Sequence, residues 1–226
     1  MHGAAPLCRL HVWAAACSLG KERQADRAAA ALSIEAMNDR MYSFIGGTIG
    51  QWLVSSVRAV KGEPLPVVPR LSVVSRFADG PRDASWVLRG VRSNERYVTR
   101  AEKERLAERQ PSLDRPEATC AALIPIGKTA EWWALPQDER RAVFEESSHH
   151  IAVGLEYLPA VARRLYHCRD LGEPFDFLTW FEYAPRDASS FEHLVVRLRE
   201  TPEWRYVDRE VDIRLQRAAG QSLPAA

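Results

Sequence analysis

Pro159 separates two runs with different hydrophobic periods, and that change of period limits the folds open to this chain. Before it, PQDERRAVFEESSHHIAVGLEYL (136–158) reads as one long helix. Val143, Phe144, Ile151, Leu155 and Leu158 recur at helical spacing and form an apolar face. Pro136 suits the first turn, and Asp138 and Glu139 lie where the helix dipole favours anions. The residue before a proline is pushed out of the α region, so the helix stops here. The next run, AVARRLYHCR, alternates with the period of a strand.

The same exchange of strand for helix runs through the rest of the chain. Residues 42–60 are rich in aromatic and β-branched types, with Gly46-Gly47 as a bulge or turn. RLSVVSRF (70–77) and SWVLRGVRS (85–93) read as strands, and 99–109 as a charged helix. Thr99 caps that helix, and Glu102 three residues on completes a capping box. ATCAALIPIGKTAEWW (118–133) reads as a strand, as does FDFLTWFEYA (175–184). Residues 187–200 form a helix with Phe191, Leu194, Val195 and Leu198 on one face. In WRYVDREVDIRL (204–215), Val211, Ile213 and Leu215 alternate with Glu210, Asp212 and Arg214, which predicts one buried face and one wet face.

Helices lying between antiparallel strands in two similar halves predict an α+β fold of two ferredoxin-like units whose sheets pair into a barrel. The folded domain spans 41–217, with halves of about 41–158 and 159–217. Residues 1–40 are expected to be an unstructured leader, or to precede a true start at Met37 or Met41. Residues 218–226 are expected to be a frayed tail.

Charge and cysteine usage narrow the functional classes. Lys and Arg number 31 against 30 Asp and Glu, so the basic footprint of a nucleic-acid partner is missing. No apolar run reaches the ~18 residues that span a bilayer. Arg9 and His11 interrupt the one stretch that resembles a signal core, which points to a cytoplasmic protein with no membrane partner. Cys8, Cys17, Cys120 and Cys168 include no CxxC pair, so they read as incidental thiols in a reducing compartment.

Two residues stand out chemically. His149 and His150 lie about 100° apart on a helix and cannot point to the same place. His150 borders the Ile151/Leu155 stripe on the side of Gly154, where missing bulk suits a flat ligand; His149 turns to the sheet edge or solvent. A histidine in that position is either a boundary packing residue or a ligand. On the strand after Pro159, Val161, Arg163, Leu165 and His167 share one face. A guanidinium on an apolar face needs compensation, from an acidic side chain or from an anion received in a pocket.

The segments SHHIAVGLEYLPAVARRLYHCRDLGEPFDFLTWFEYAP and FEHLVVRLRETPEWRYVDREVDIRL closely resemble the chlorite dismutase family, in particular its short-chain dimeric branch. RPEATCAALIPIGKTAEWWALPQDERRAVFEE and RGVRSNERYVTRAEK extend the resemblance upstream. It implies a barrel of ferredoxin-like units holding one haem b per subunit in a homodimer. His150 matches the axial iron ligand, and Arg163, thirteen residues on, matches the distal arginine. Glu203 in TPEW matches the carboxylate that accepts the histidine's other N–H. Lys128 and Tyr97 match positions near the haem propionates, and Trp133 is a pocket-lining aromatic. Gly127 stands where a basic residue is expected, which removes one propionate contact. The implied reaction turns chlorite into chloride and dioxygen through a ferryl species and hypochlorite, with Arg163 holding the hypochlorite. Two alternatives come with the resemblance: a decarboxylase of iron coproporphyrin, which Arg163 argues against, and a non-enzymatic haem-binding or haem-sensing module.

Overall fold

The computed structural model describes residues 40–93 and 96–218. Apart from Arg40 and Ala218, the expected leader and tail lie outside the described residues. Among the described residues, eight strands close into an antiparallel barrel. They are β1 (Met41–Gly47), β2 (Trp52–Lys61), β3 (Arg70–Val74), β4 (Trp86–Arg92), β5 (Cys120–Lys128), β6 (Val161–His167), β7 (Phe177–Tyr183) and β8 (Val207–Arg217). Around the barrel the order is β1-β3-β2-β8-β5-β7-β6-β4. The order β4-β1-β3-β2 in the first four strands recurs as β8-β5-β7-β6 in the last four, so the chain is a repeat of one α+β unit. The repeat divides between β4 and β5, upstream of Pro159, because β5 pairs with β7 and β8. Closure leaves no free sheet edge.

Alternation along the strands sends one set of side chains inward. Phe44, Trp52, Leu71, Leu123, Trp180 and Ile213 fill the barrel, each nearly or wholly buried. Each such side chain contributes about 1.5–3 kcal/mol by leaving water. The outward set on β5 and β7, including Ile124 and Phe181, is covered by helix Ala188–Arg199 through Phe191, Leu194, Val195 and Leu198. That face is the one predicted from spacing. Helix α1 (Arg100–Arg109) also has its expected capping box: Thr99 Oγ1 accepts the Glu102 amide and the Glu102 carboxylate accepts the Thr99 amide.

Three local expectations are corrected. The strand read over 118–133 stops at Lys128, and Ala130–Ala134 is a short helix, α2, because the Thr129 hydroxyl caps it by accepting from the Trp132 amide. The single helix expected over 136–158 is broken. It consists of α3 (Gln137–Arg141), a wider π-helical turn (Ala142–Ser147) and α4 (His150–Glu156), with His149 between them in the left-handed region at φ 50°. The third concerns β8, whose polar face is not wet. Glu210 and Asp212 are 0% and 1% exposed, since Arg199 of α5 (Ala188–Arg199) lies over both and Arg214 pairs with Asp212.

Candidate functional site

The break at His149 sets the direction of His150. α4 restarts at that residue, packing Ile151 and Leu155 inward against Leu106 of α1, while His149 stays exposed, as its position predicted. The His150 ring lies against Phe144 from the π-helical turn, with centroids 4.4 Å apart and planes 24° from parallel. Its Nδ1 sits 2.8 Å from Glu203 Oε2, and its Nε2 lies 3.3 Å from Arg163 Nη1. With Nδ1–H donating to the carboxylate, Nε2 keeps its lone pair, which is the atom a metal would take.

Glu203 is placed by the 3₁₀ turn Pro202–Tyr206 that leads into β8, and its amide donates to Ser148 Oγ at 2.9 Å. Its other oxygen accepts from Lys128 Nζ at 2.7 Å. Burial pushes the Glu203 carboxyl pKa up, but the charges and hydrogen bonds of Lys128 and His150 outweigh it and hold it near 2. The Lys128 ammonium also lies 4.6 Å from the Trp132 ring centroid. The sequence places Lys128 at the propionates; the structure places its ammonium on Glu203.

Arg163 projects outward from β6, on the face expected from alternation, beside Leu165 and His167. Its backbone carbonyl accepts from the side chain of Gln110, the residue that ends α1. Gly154 faces it: a Cβ there would meet Arg163 Nη1 at 3.9 Å, an ordinary contact. Arg163 lines a cavity of about 270 Å³ whose apolar walls include Val98, Leu106, Ile126, Trp132 and Phe144. His150 lines an adjoining cavity of about 70 Å³ that shares Ile126, Phe144, Arg163 and Leu165 with the larger one.

Tyr97 lines the larger cavity, with its backbone at φ 66° and its ring 6.4 Å from Trp132 and 6.0 Å from Phe144. Arg141 donates to the Tyr97 carbonyl and forks onto Glu102 at 2.6 and 2.9 Å. Trp133 is not among the cavity residues. It stacks on Phe177, donates to Asp176 at 3.2 Å and carries Arg169 over its ring. The lining tryptophan is its neighbour Trp132, 1% exposed, because α2 is a helix and turns the two rings apart.

Several site residues went unread in the sequence. Arg92 and Arg96, which look like surface residues until the strands and loop are placed, line the cavity, as do His167, read only as sharing the Arg163 face, and Arg164, read as lying on the opposite face. The Trp132 signal was present as Thr129-Ala-Glu-Trp132, a helix-capping pattern. Gly127 sits where β5 shifts register against β8, and a Cβ there would lie 2.9 Å from Asp208 Oδ1. A longer side chain at 127 therefore requires Asp208 to move.

The site residues fit a haem. The imidazole Nε2 offers a lone pair, the walls are apolar, and the cavity carries cations for carboxylates. One more observation points the same way: the Trp132 indole N–H is buried and finds no acceptor among the described residues. A buried donor left unmade costs ~1–3 kcal/mol, and a carboxylate in the cavity would satisfy it.

Comparisons with known proteins point to one family. A family model described as chlorite dismutase matches residues 74–218. A protein named chlorite dismutase from Ideonella dechloratans is 36% identical over 86 residues, which cover 38% of this chain and only 28% of that protein. Among solved structures, the dimeric chlorite dismutase of Nitrobacter winogradskyi is 58% identical, with a TM-score of 0.73 over 78% of this chain and 99% of that one. The chlorite dismutase of Candidatus Nitrospira defluvii, solved with imidazole, is 24% identical and shares the fold, with a TM-score of 0.57 over 79% of this chain and 91% of the other.

Proposed function

The chain belongs to the chlorite dismutase family, and from that premise we propose that it converts chlorite to chloride and dioxygen with haem b held at His150. The observation that carries the reading is the line His150–Glu203–Lys128, which fixes the imidazole through Nδ1 and leaves Nε2 for a ligand. Arg163 would be displaced by haem at Nε2 from its 3.3 Å contact with that nitrogen. Bound haem would supply the redox chemistry that breaks the first Cl–O bond.

The protein's own residues do the rest. His150 would hold the haem iron through Nε2. Glu203, kept ionised beside Lys128, accepts the Nδ1 proton and makes the imidazole a stronger donor. Chlorite and hypochlorite are both anions, and Arg163 is the cation on the cavity wall placed to hold them in an apolar setting, where charge attraction is strong. Trp132 would offer its indole N–H to a haem carboxylate, and the arginines at 92, 96 and 164 line the same cavity. Chlorite balances to one chloride and one dioxygen, so no other reductant or proton is required.

The N. winogradskyi protein is described as dimeric, and we assign this chain the same homodimeric state. No helix among the described residues is long and apolar enough to cross a membrane, and the described cysteines, Cys120 and Cys168, are free thiols; we assign the chain to the cytoplasm. An oxygen electrode tests the reaction. Chlorite added to the haem-loaded chain should give dioxygen and chloride in equal amounts. Bound haem b with no dioxygen would overturn the enzymatic reading and favour a haem-binding module.

A further inference from the structure

The first turn of α4 is capped from an unusual direction. Glu145 Oε2 accepts from the Ile151 amide at 2.6 Å, and Oε1 accepts from the Ala152 amide at 3.2 Å. A helix leaves its first N–H groups without partners inside the helix, and the residue just before it ordinarily supplies the acceptor. His149 makes no such bond, and its backbone is in the left-handed region. The acceptor comes instead from the π-helical turn, whose extra residue per turn marks functional sites in many helices. The same turn supplies Phe144, stacked on the His150 ring, and is followed by Ser148, which accepts the Glu203 amide. One short segment therefore holds the two amides that follow His150, one face of its ring, and the turn that carries its carboxylate partner.

We infer that Glu145 is a positioning residue for His150: its carboxylate fixes the first turn of α4 and with it the direction of the imidazole Nε2. A negative charge at a helix N-terminus is favoured over a neutral acceptor, so glutamate suits the position better than glutamine. Glu145 acts through the backbone and touches no reacting group. Its importance for turnover rests on the reading of His150 as the axial ligand; its effect on the histidine does not.

Two variants of the full chain, Glu145→Ala and Glu145→Gln, test this with and without haem. In Glu145→Ala, amide hydrogen exchange at Ile151 and Ala152 should rise about five- to tenfold, the scale of a lost cap, while core amides of β5 such as Leu123 stay as they are. The Nδ1 proton of His150, held on Glu203, should lose its slow-exchanging NMR signal. In the haem-loaded chain the iron–histidine stretch should shift and broaden, and haem release should quicken by a similar factor. Glu145→Gln, which keeps one acceptor oxygen, should restore each value most of the way. Unchanged exchange at both amides would overturn the inference. So would faster exchange with the Nδ1 signal and the stretch both unmoved, because the cap would then have no consequence for the ring. A wild-type chain that takes up no haem would defeat the ligand reading, and the exchange and Nδ1 signals would still decide the role of Glu145.

Discussion

The Lys128 ammonium lies 2.7 Å from the Glu203 carboxylate, with the two side chains only 4% and 6% exposed. Each charge is compensated by the other, and the carboxylate has one oxygen left for His150. Removing Lys128 leaves a buried carboxylate with only the His150 N–H as its side-chain partner. Lys128→Met should therefore lower stability by about 3–5 kcal/mol, read as the urea midpoint. Adding Glu203→Gln should cost less than the sum of the two single changes, since they share one interaction. A midpoint unmoved by Lys128→Met would mean the pair is not buried as described.

Adjacent tryptophans should behave differently. Trp132→Phe removes a buried donor that has no acceptor among the described residues, so the haem-free chain should lose little stability from the lost N–H. Its haem affinity should fall about tenfold, the scale of one hydrogen bond to a charged group. Trp133→Phe loses only the bond to Asp176, outside the cavity, and should leave haem affinity within about twofold. Equal losses of affinity in the two variants would contradict the placement of Trp132 on the ligand.

Arg163→Ala should reduce turnover without abolishing it, since haem binding does not depend on the guanidinium. Hypochlorite should escape, appearing in a chlorination-trap assay, and the haem should bleach after fewer turnovers. Arg163→Lys should fall between the two, because a compact ammonium keeps the charge but not the fork. An alanine variant with wild-type trapping and bleaching would remove Arg163 from the reaction.

A separate acid-sensitive link ties α1 to the segment before His150. Hydrogen bonds from Arg141 hold the Glu102 carboxyl at about 2, against an ordinary value of 4.5, with burial opposing. Because the folded value is depressed, the link stabilises fully above the unfolded value and is lost as pH falls from about 4.5 to about 2. The whole effect is on the order of 3 kcal/mol. Glu102→Gln should flatten the stability–pH curve in that window while lowering stability at neutral pH. A curve of unchanged slope would show that another carboxylate carries the acid limb.

What the sequence made legible follows from how local each cause is. The α1 capping box lies within four residues, and the α5 face follows from spacing alone; both form as expected. Alternation placed Arg163 on the outward face of β6, and helical geometry separated His150 from His149. The break at His149 could not be read, because Glu145 and the π-helical turn that cause it gain nothing until α4 packs on Leu106. The polar face of β8 looked wet for a similar reason. Nothing local says that Arg199 will lie across Glu210 and Asp212. The resemblance assigns Trp133 to the pocket wall, and the strand pattern that runs on past Thr129 hides the cap whose helix brings Trp132 there instead.

The most direct test of the central claim is mass spectrometry of the dioxygen released from a mixture of unlabelled chlorite and chlorite labelled with heavy oxygen at both positions. If the haem-loaded chain joins the two oxygens of one chlorite while Arg163 retains the hypochlorite, the gas will be either fully labelled or fully unlabelled. A large fraction of singly labelled dioxygen would mean that hypochlorite leaves the site and exchanges before the O–O bond forms, and that would contradict the account.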